Sequence, residues 1–105
     1  MAKLKEYKMF INGEWVDSEN KKTFETVNPE NNEPWAIVPE ASAKDVDKAV
    51  KAAQKAFEGD WPKLLPRERG NFLRAIGNQL RENAEMLGKV ETKDTGKLFR
   101  ETKKQ

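Results

Sequence analysis

Residues 35–46 read WAIVPEASAKDV, and within this stretch the chain changes from one kind of secondary structure to another. Its first four residues are apolar and Pro39 ends them, which is typical of a short strand. Ser42 is a favoured helix N-cap residue, and Asp45 stands three residues later, where a carboxylate can complete a capping box. The stretch therefore predicts strands up to residue 41 and helices from residue 42 onward.

Toward the N-terminus, the pattern predicts a hairpin and a second pair of strands. Residues 9–16 read MFINGEWV, in which Asn12-Gly13 favours a type I′ turn because both central positions need positive φ. Residues 23–27, TFETV, alternate and are rich in β-branched side chains, as in a half-buried strand. A polar turn follows Pro29, and one of its asparagines can adopt a left-handed conformation. Residues 35–38 then return as an antiparallel strand.

Toward the C-terminus, apolar residues recur at helical spacing. A first helix from Ser42 ends near Gly59, and Pro66 suits the first turn of a second helix. Asn83 is expected to cap a third helix that ends at Gly96. The predicted apolar stripes comprise Val46, Ala49, Val50, Ala53, Ala56 and Phe57 in the first helix, Phe72, Leu73, Ile76 and Leu80 in the second, and Ala84, Met86, Leu87 and Val90 in the third. Leu98 and Phe99 open a fourth helix, cut off at Gln105.

These elements predict an α+β fold with an N-terminal hairpin and short strands followed by three or four α-helices. Residues 1–41 form a β arm and residues 42–105 a helical segment, which together make one incomplete domain. Only 36% of the 105 residues are hydrophobic, which is a low share for a globular domain. Because a domain this small also buries a small fraction of its surface, we expect it to need a partner surface.

Composition excludes several classes of function. The chain has no cysteine and no histidine, so it lacks a thiol nucleophile, an imidazole base and the usual zinc ligands. Its 20 basic and 18 acidic residues are interspersed, which is typical of a solvated surface and not of nucleic-acid binding. Lysines interrupt the N-terminal residues and no run reaches membrane-spanning length. We therefore expect neither a nucleic-acid nor a membrane partner, and a cytoplasmic location.

Single motifs add little chemistry. The glycines at 13, 59, 70, 77, 88 and 96 never fall at the spacing of a dinucleotide or phosphate loop, so no residue is predicted to bind a cofactor. Acidic pairs three residues apart, such as Glu14 with Asp17 and Glu91 with Asp94, are typical of an exposed surface in so acidic a chain. The tryptophans at 15, 35 and 61 are interpreted as anchors in buried contacts.

Read in order, however, the segments resemble one family. The resemblance begins with FINGEWV at residues 10–16, continues with VNP at 27–29 and Glu33, and extends through Val38-Pro39 and Ala41-Ser42. DVD at 45–47, the alanine-rich stretch to Trp61, Arg67-Glu68-Arg69 with Leu73, and DTGK at 94–97 follow. This ordered set resembles the N-terminal segment of aldehyde dehydrogenases over nearly the whole chain. The chain departs from the family at Asn32, where glycine is frequent.

The resemblance implies a role in an NAD(P)-dependent enzyme that oxidises an aldehyde to a carboxylic acid. In that family the stretch packs around an α/β dinucleotide-binding domain, while the catalytic cysteine, the catalytic glutamate and the cofactor loop lie further along the chain. No catalytic residue is therefore expected here, and the chain should be inactive and bind no NAD or NADP alone. The absence of a thiol agrees with this expectation.

The resemblance also implies one binding site. Many family members hold a monovalent cation near the strand before the Asn-Pro turn and the acidic residue of the DTGK motif. The matching positions are Val27, through its main-chain carbonyl, and Asp94. Oxygen donors suit a hard cation, but further ligands would have to come from outside these residues. In the alternative interpretation, Asp94 fixes the turn around Gly96.

Two functions from different classes remain open at this stage. The first is a non-catalytic N-terminal part of an aldehyde dehydrogenase, which supports the cofactor domain. The alternative is a stand-alone module for protein interaction or self-association, docking through the same apolar faces. The expected partners are accordingly the remainder of a parent chain or another copy in a homo-oligomer.

Overall fold

The computed structural model describes residues 3–104, and in this range short strands precede four α-helices. The predicted α+β class is confirmed. The predicted truncation of the fourth helix falls on Gln105, which lies outside the described residues, as do Met1 and Ala2. The strands are β1 (Lys5–Glu6), β2 (Met9–Ile11), β3 (Glu14–Val16), β4 (Thr23–Asn28) and β5 (Glu33–Pro39). The helices are α1 (Ala43–Glu58), α2 (Pro66–Glu82), α3 (Ala84–Thr95) and α4 (Phe99–Thr102), with a 3₁₀ turn at Trp61–Lys63.

Strands β2 and β3 form the predicted hairpin. They pair antiparallel with Phe10 opposite Trp15, and the centroids of these two rings lie 4.8 Å apart. Asn12 and Gly13 have φ values of 54° and 78°, so both central residues of the turn are left-handed as a type I′ turn requires. Local turn chemistry therefore sets the register of this pair.

The other three strands form a sheet in the order β1-β5-β4. The short turn at residues 29–32 joins β4 to β5, and so short a connection requires these neighbours to be antiparallel. Strand β1 runs parallel to β5, with Lys5 opposite Ala36, and the Tyr7 N–H donates to the Ile37 carbonyl at 2.9 Å. Ala36 is fully buried. The sequence did not predict β1, whose side chains are charged.

Helix α1 begins as predicted. The Ser42 hydroxyl accepts a hydrogen bond from the Asp45 N–H at 3.2 Å, and the Asp45 carboxylate accepts one from the Ser42 N–H at 2.8 Å. This reciprocal pair satisfies two backbone donors that the first turn of a helix leaves free. Alanines of α1 and the turn of the β2–β3 hairpin line one shallow groove, so the small side chains face the hairpin.

Helix α2 starts at Pro66 as predicted, but the predicted role of Asn83 is wrong in part. Asn83 does occupy the N-cap position of α3, yet its side chain makes no capping bond there. Its amide instead donates to the Gln79 carbonyl at 2.9 Å, at the end of α2. With only this one residue between α2 and α3, its side chain satisfies the preceding helix instead of the following one.

Helix α4 packs on α3 through a buried threonine. The Thr102 hydroxyl lies 2.9 Å from the Gly88 carbonyl and 2.9 Å from the Thr92 hydroxyl, and Thr102 is 5% exposed. Gly88 permits this approach, because a Cβ atom added there would lie 3.0 Å from the Lys103 backbone nitrogen. The two helices therefore meet backbone to backbone at this point.

Backbone contacts divide the chain into two compact units. Within the described residues, the first comprises 3–26 together with Pro34–Lys63, and the second comprises Val27–Glu33 together with 64–104. In the first unit α1 contacts β2, and in the second unit the turn after β4 belongs with the later helices. Among residues 3–104, no helix combines the length and apolarity needed to cross a bilayer.

Candidate functional site

The two residues of the predicted cation site lie in the same compact unit. Val27 is the penultimate residue of β4 and is 40% exposed. Asp94 lies in the last turn of α3 and is exposed. Their elements are separated by more than fifty residues of sequence, so any proximity comes from the fold and not from the local chain.

Side-chain hydrogen bonds hold the turn that follows Val27. The Asn28 side-chain oxygen accepts from the Glu30 N–H at 2.9 Å, and the Asn28 carbonyl accepts from the Asn32 N–H at 2.7 Å. The Asn31 side-chain oxygen accepts from the Glu33 N–H at 3.0 Å. Asn32 has a φ of 59°, a conformation that glycine or asparagine adopts with little strain. Asparagine at position 32 is therefore compatible with the left-handed backbone of this turn.

Hydrogen bonds also hold the C-terminus of α3. Gly96 has a φ of 79°, and its N–H donates to the Thr92 carbonyl at 2.9 Å, which ends the helix in a left-handed cap. The Thr95 hydroxyl donates to the Glu91 carbonyl at 2.7 Å, and it lies 3.3 Å from the Lys97 backbone nitrogen. Thr95 and the backbone both contribute bonds to this turn, which directly follows Asp94.

The turn after β4 and the C-terminus of α3 touch each other. A Cβ atom added to Gly96 would lie 3.1 Å from Pro29 Cγ, closer than ordinary van der Waals contact. This contact connects a residue two positions after Val27 with a residue two positions after Asp94. The fold therefore brings together the two segments on which the site was predicted.

The donors at this place fit a hard monovalent cation. A main-chain carbonyl and a carboxylate both offer oxygen, and the last carbonyls of α3 carry the negative end of the helix dipole, which favours a cation. Within residues 3–104 there is no cluster of three or more acidic, cysteine or histidine side chains that could hold a metal ion. Two oxygen donors alone are too few to complete the coordination shell of a hard cation.

Two of the other acidic side chains singled out in the sequence, Asp17 and Glu91, form exposed ion pairs. Asp17 lies 2.9 Å from the Lys8 ammonium group, and Glu91 lies 3.5 Å from that of Lys97. Exposed pairs of this kind contribute little to stability, about 0–1 kcal/mol. Glu14 and Asp17 both line an open pocket in the first unit, beside Lys48 and Lys51 of α1.

Asp45 has a second role that the sequence did not indicate. Besides capping α1, its two carboxylate oxygens each lie 3.1 Å from the Glu19 backbone nitrogen, and the residue is only 3% exposed. The hydrogen bond from the Ser42 N–H is the main cause that lowers the pKa of Asp45, and the bond from Glu19 lowers it further against the opposing effect of burial. The carboxylate therefore joins the start of α1 to the loop between β3 and β4 in the first unit.

An apolar groove lies open on the second unit, between α2 and α3. Phe72, Ile76 and Leu80 are 53%, 56% and 55% exposed although they form the predicted buried stripe of α2. Met86 and Leu87 of α3 complete the groove, whose volume is about 500 Å³. The stripe was thus predicted in the correct register, but nothing in the described chain buries it.

Comparison with known proteins identifies the family. The model of the aldehyde dehydrogenase family matches residues 15–105, which is most of the chain. The chain belongs to the aldehyde dehydrogenase family. The predicted membership is confirmed, and it explains the ordered motifs, because all of the segments from Trp15 to the DTGK sequence fall within the matched range.

Individual aldehyde dehydrogenases share both sequence and fold with the chain. It is 47% identical over 89 residues to an aldehyde dehydrogenase of Aspergillus niger, covering 85% of this chain and 18% of the relative. A betaine aldehyde dehydrogenase of Staphylococcus aureus, solved in complex with NAD⁺, matches with a TM-score of 0.88 and 40% identity over 92% of this chain and 20% of that one. An NAD-dependent aldehyde dehydrogenase of Sinorhizobium meliloti gives a TM-score of 0.92 and 33% identity, covering 96% and 20%.

The chain thus spans about a fifth of the length of the aldehyde dehydrogenases that it matches. The prediction that it corresponds to only the N-terminal part of such an enzyme is confirmed by this coverage. Four fifths of each relative has no counterpart in these residues, which is consistent with an apolar groove that the described chain leaves uncovered.

Proposed function

We propose that the chain acts as the N-terminal segment of an NAD(P)-dependent aldehyde dehydrogenase, where it supports the cofactor-binding domain without taking part in the chemistry. The observation that carries this proposal is the exposed groove between α2 and α3, because its side chains have helical core spacing but are about half exposed. Leaving so much apolar surface in water is unfavourable, so a complete enzyme should cover it.

Composition and family resemblance together indicate which catalytic groups of that enzyme lie outside this chain. The reaction oxidises an aldehyde to a carboxylic acid, and the oxidised cofactor, NAD⁺ or NADP⁺, accepts the hydride. A thiolate nucleophile is required, and the chain contains no cysteine. The nucleophile must therefore lie in another part of the enzyme. The resemblance to the family implies that the base and the cofactor loop lie there as well, so that this segment supplies packing surface to the domain that holds the dinucleotide.

A chimaera tests the supporting role. It consists of the Staphylococcus aureus betaine aldehyde dehydrogenase with its matching segment replaced by this chain. We expect the chimaera to be folded and to reduce NAD⁺ in the presence of betaine aldehyde, whereas the same enzyme without the segment should not fold. Ile76→Lys places a charge in the groove and should destabilise the chimaera by several kcal/mol, because a lysine ammonium group would be buried without a partner.

The matched control is Asn71→Lys, an exposed polar position on the same helix and outside the groove. It should leave the thermal midpoint unchanged. Equal midpoints for the two variants would mean that the groove stays open in the complete enzyme, and the supporting role would then be wrong.

The proposal includes a monovalent cation site formed by the Val27 carbonyl and the Asp94 carboxylate. Its support is the contact between Pro29 and Gly96, together with the dipole of α3. In the chimaera, potassium chloride should raise the thermal midpoint relative to choline chloride at the same ionic strength. Asp94→Ala should abolish that difference, and an unchanged potassium response would contradict the site.

The alternative function, a stand-alone interaction module, makes a different prediction for the isolated chain. A cooperative urea transition with a normal dependence on denaturant would favour the module, because only a chain with its own closed core unfolds in this way. A broad transition would favour the segment of an enzyme. The cytoplasmic location and the assembly into a homo-oligomer belong to the enzyme proposal and apply to the complete protein.

A further inference from the structure

We propose that Gly96 is a positioning residue for cation binding, because its missing side chain lets Pro29 lie against the end of α3 and so sets the separation between the Val27 carbonyl and Asp94. This inference rests on the proposed cation site and adds a residue that donates no ligand. The contact itself is a property of the described chain, and it follows from the 3.1 Å distance between Pro29 Cγ and a Cβ atom placed on Gly96.

The turn after β4 is stiff enough to transmit a displacement. Asn28 accepts hydrogen bonds both through its side chain, from Glu30, and through its carbonyl, from Asn32. Pro29 has a fixed φ, so it has little freedom to move independently of its neighbours. A side chain that pushes Pro29 away from α3 should therefore shift the adjoining residues Val27 and Asn28 as well.

The opposite side of the contact is also stiff. The Gly96 N–H donates to the Thr92 carbonyl at 2.9 Å and so ends α3. The Thr95 hydroxyl donates to the Glu91 carbonyl at 2.7 Å. Asp94 lies within this last turn of the helix, so the helix fixes its backbone. The separation between the backbone at Val27 and the backbone at Asp94 is consequently set where the two turns meet.

A methyl group at position 96 would have two effects that must be separated. It would strain the backbone, since a φ of 79° disfavours any side chain, and it would collide with the Pro29 ring. Pro29→Ala removes the Cγ atom and leaves the Cβ atom, which lies at an ordinary 3.8 Å. The double variant Pro29→Ala with Gly96→Ala therefore retains the backbone strain but relieves the collision.

The experiment measures the potassium concentration that gives half-maximal thermal stabilisation of the chimaera, with choline chloride holding the ionic strength constant. Gly96→Ala should raise this concentration about tenfold, the scale on which residues behind a metal ligand affect affinity. The double variant should return to within about threefold of the unsubstituted chimaera. Gly70→Ala is the matched control, because no atom lies within 4 Å of its added Cβ, and it should leave the potassium dependence unchanged.

The outcomes distinguish the two proposals. If the unsubstituted chimaera shows no potassium response, the cation site is absent and the positioning role falls with it. If the response is present and lost in Asp94→Ala but unaltered in Gly96→Ala, the site stands and the positioning role is wrong. A double variant as impaired as Gly96→Ala would assign the effect to backbone strain and overturn the role of Pro29. Should Gly96→Ala fail to fold, Gly96→Asn replaces it, since asparagine tolerates a left-handed backbone and still places a Cβ against Pro29.

Discussion

Replacing Gly88 with alanine should detach α4 from α3 without weakening α3 itself. The added Cβ would lie 3.0 Å from the Lys103 nitrogen and 3.1 Å from its Cα, so backbone atoms, which cannot rotate away, would have to move. Overpacking of this kind costs about 1–3 kcal/mol. Alanine also favours α3 by about 1 kcal/mol, but this gain is present whether α4 is docked or not, so it does not oppose the detachment.

Hydrogen exchange measured by mass spectrometry in the chimaera tests this expectation. The amides of residues 99–104 should exchange roughly 5 to 150 times faster in Gly88→Ala, the factors that correspond to 1–3 kcal/mol. The amides of α3 should keep their protection. Gly77→Ala is the matched control because its added Cβ meets no atom within 4 Å, and it should leave α4 unaffected. Exchange in residues 99–104 that changes less than about twofold would refute the reasoning.

Three further substitutions test stability in the first 45 residues. The pKa of Asp45 is lowered in the folded chain, so the contribution of its carboxylate to stability is present at neutral pH and is lost as the pH falls through that lowered value. In the chimaera, Asp45→Asn should flatten the acid limb of urea midpoints measured against pH, and an unaltered limb would contradict the assignment. Lys21 has a φ of 57°, so Lys21→Gly should raise the free energy of unfolding by up to about 1 kcal/mol in urea titrations of the chimaera. Asn32→Gly, at a φ of 59°, should change it by less than about 0.5 kcal/mol because asparagine already tolerates this backbone, and equal gains at the two positions would contradict the explanation.

The elements predicted correctly depend on interactions between residues close in sequence. The β2–β3 hairpin follows from Asn12-Gly13, and the start of α1 follows from the reciprocal bonds of Ser42 and Asp45. Such interactions are encoded within a few residues, so a single sequence is enough to recognise them. Asn83 shows the limit, because one side chain between two helices can bond to either and only the structure shows which.

Features that depend on distant residues left no pattern in the sequence. The bonds between Asp45 and the Glu19 N–H join positions 26 apart and involve a backbone group that every residue other than proline carries. In the candidate site, Val27 and Asp94 came from family resemblance and not from their spacing. The close approach of Pro29 to Gly96 could not be predicted from the sequence, since a glycine that ends a helix is common whether or not another segment packs on it.

Strand β1 has a consequence for association between molecules. It is only two residues long and carries Lys5 and Glu6, yet it occupies the edge of β5 by pairing beside Ala36 and Ile37. An uncovered strand edge offers backbone groups to any other extended chain, and short charged edge strands are a recognised protection against such pairing. Lys5 and Glu6 thus cover the edge of β5 with a short, charged strand. Removing them would expose the backbone groups of β5 to the intermolecular strand addition that begins aggregation.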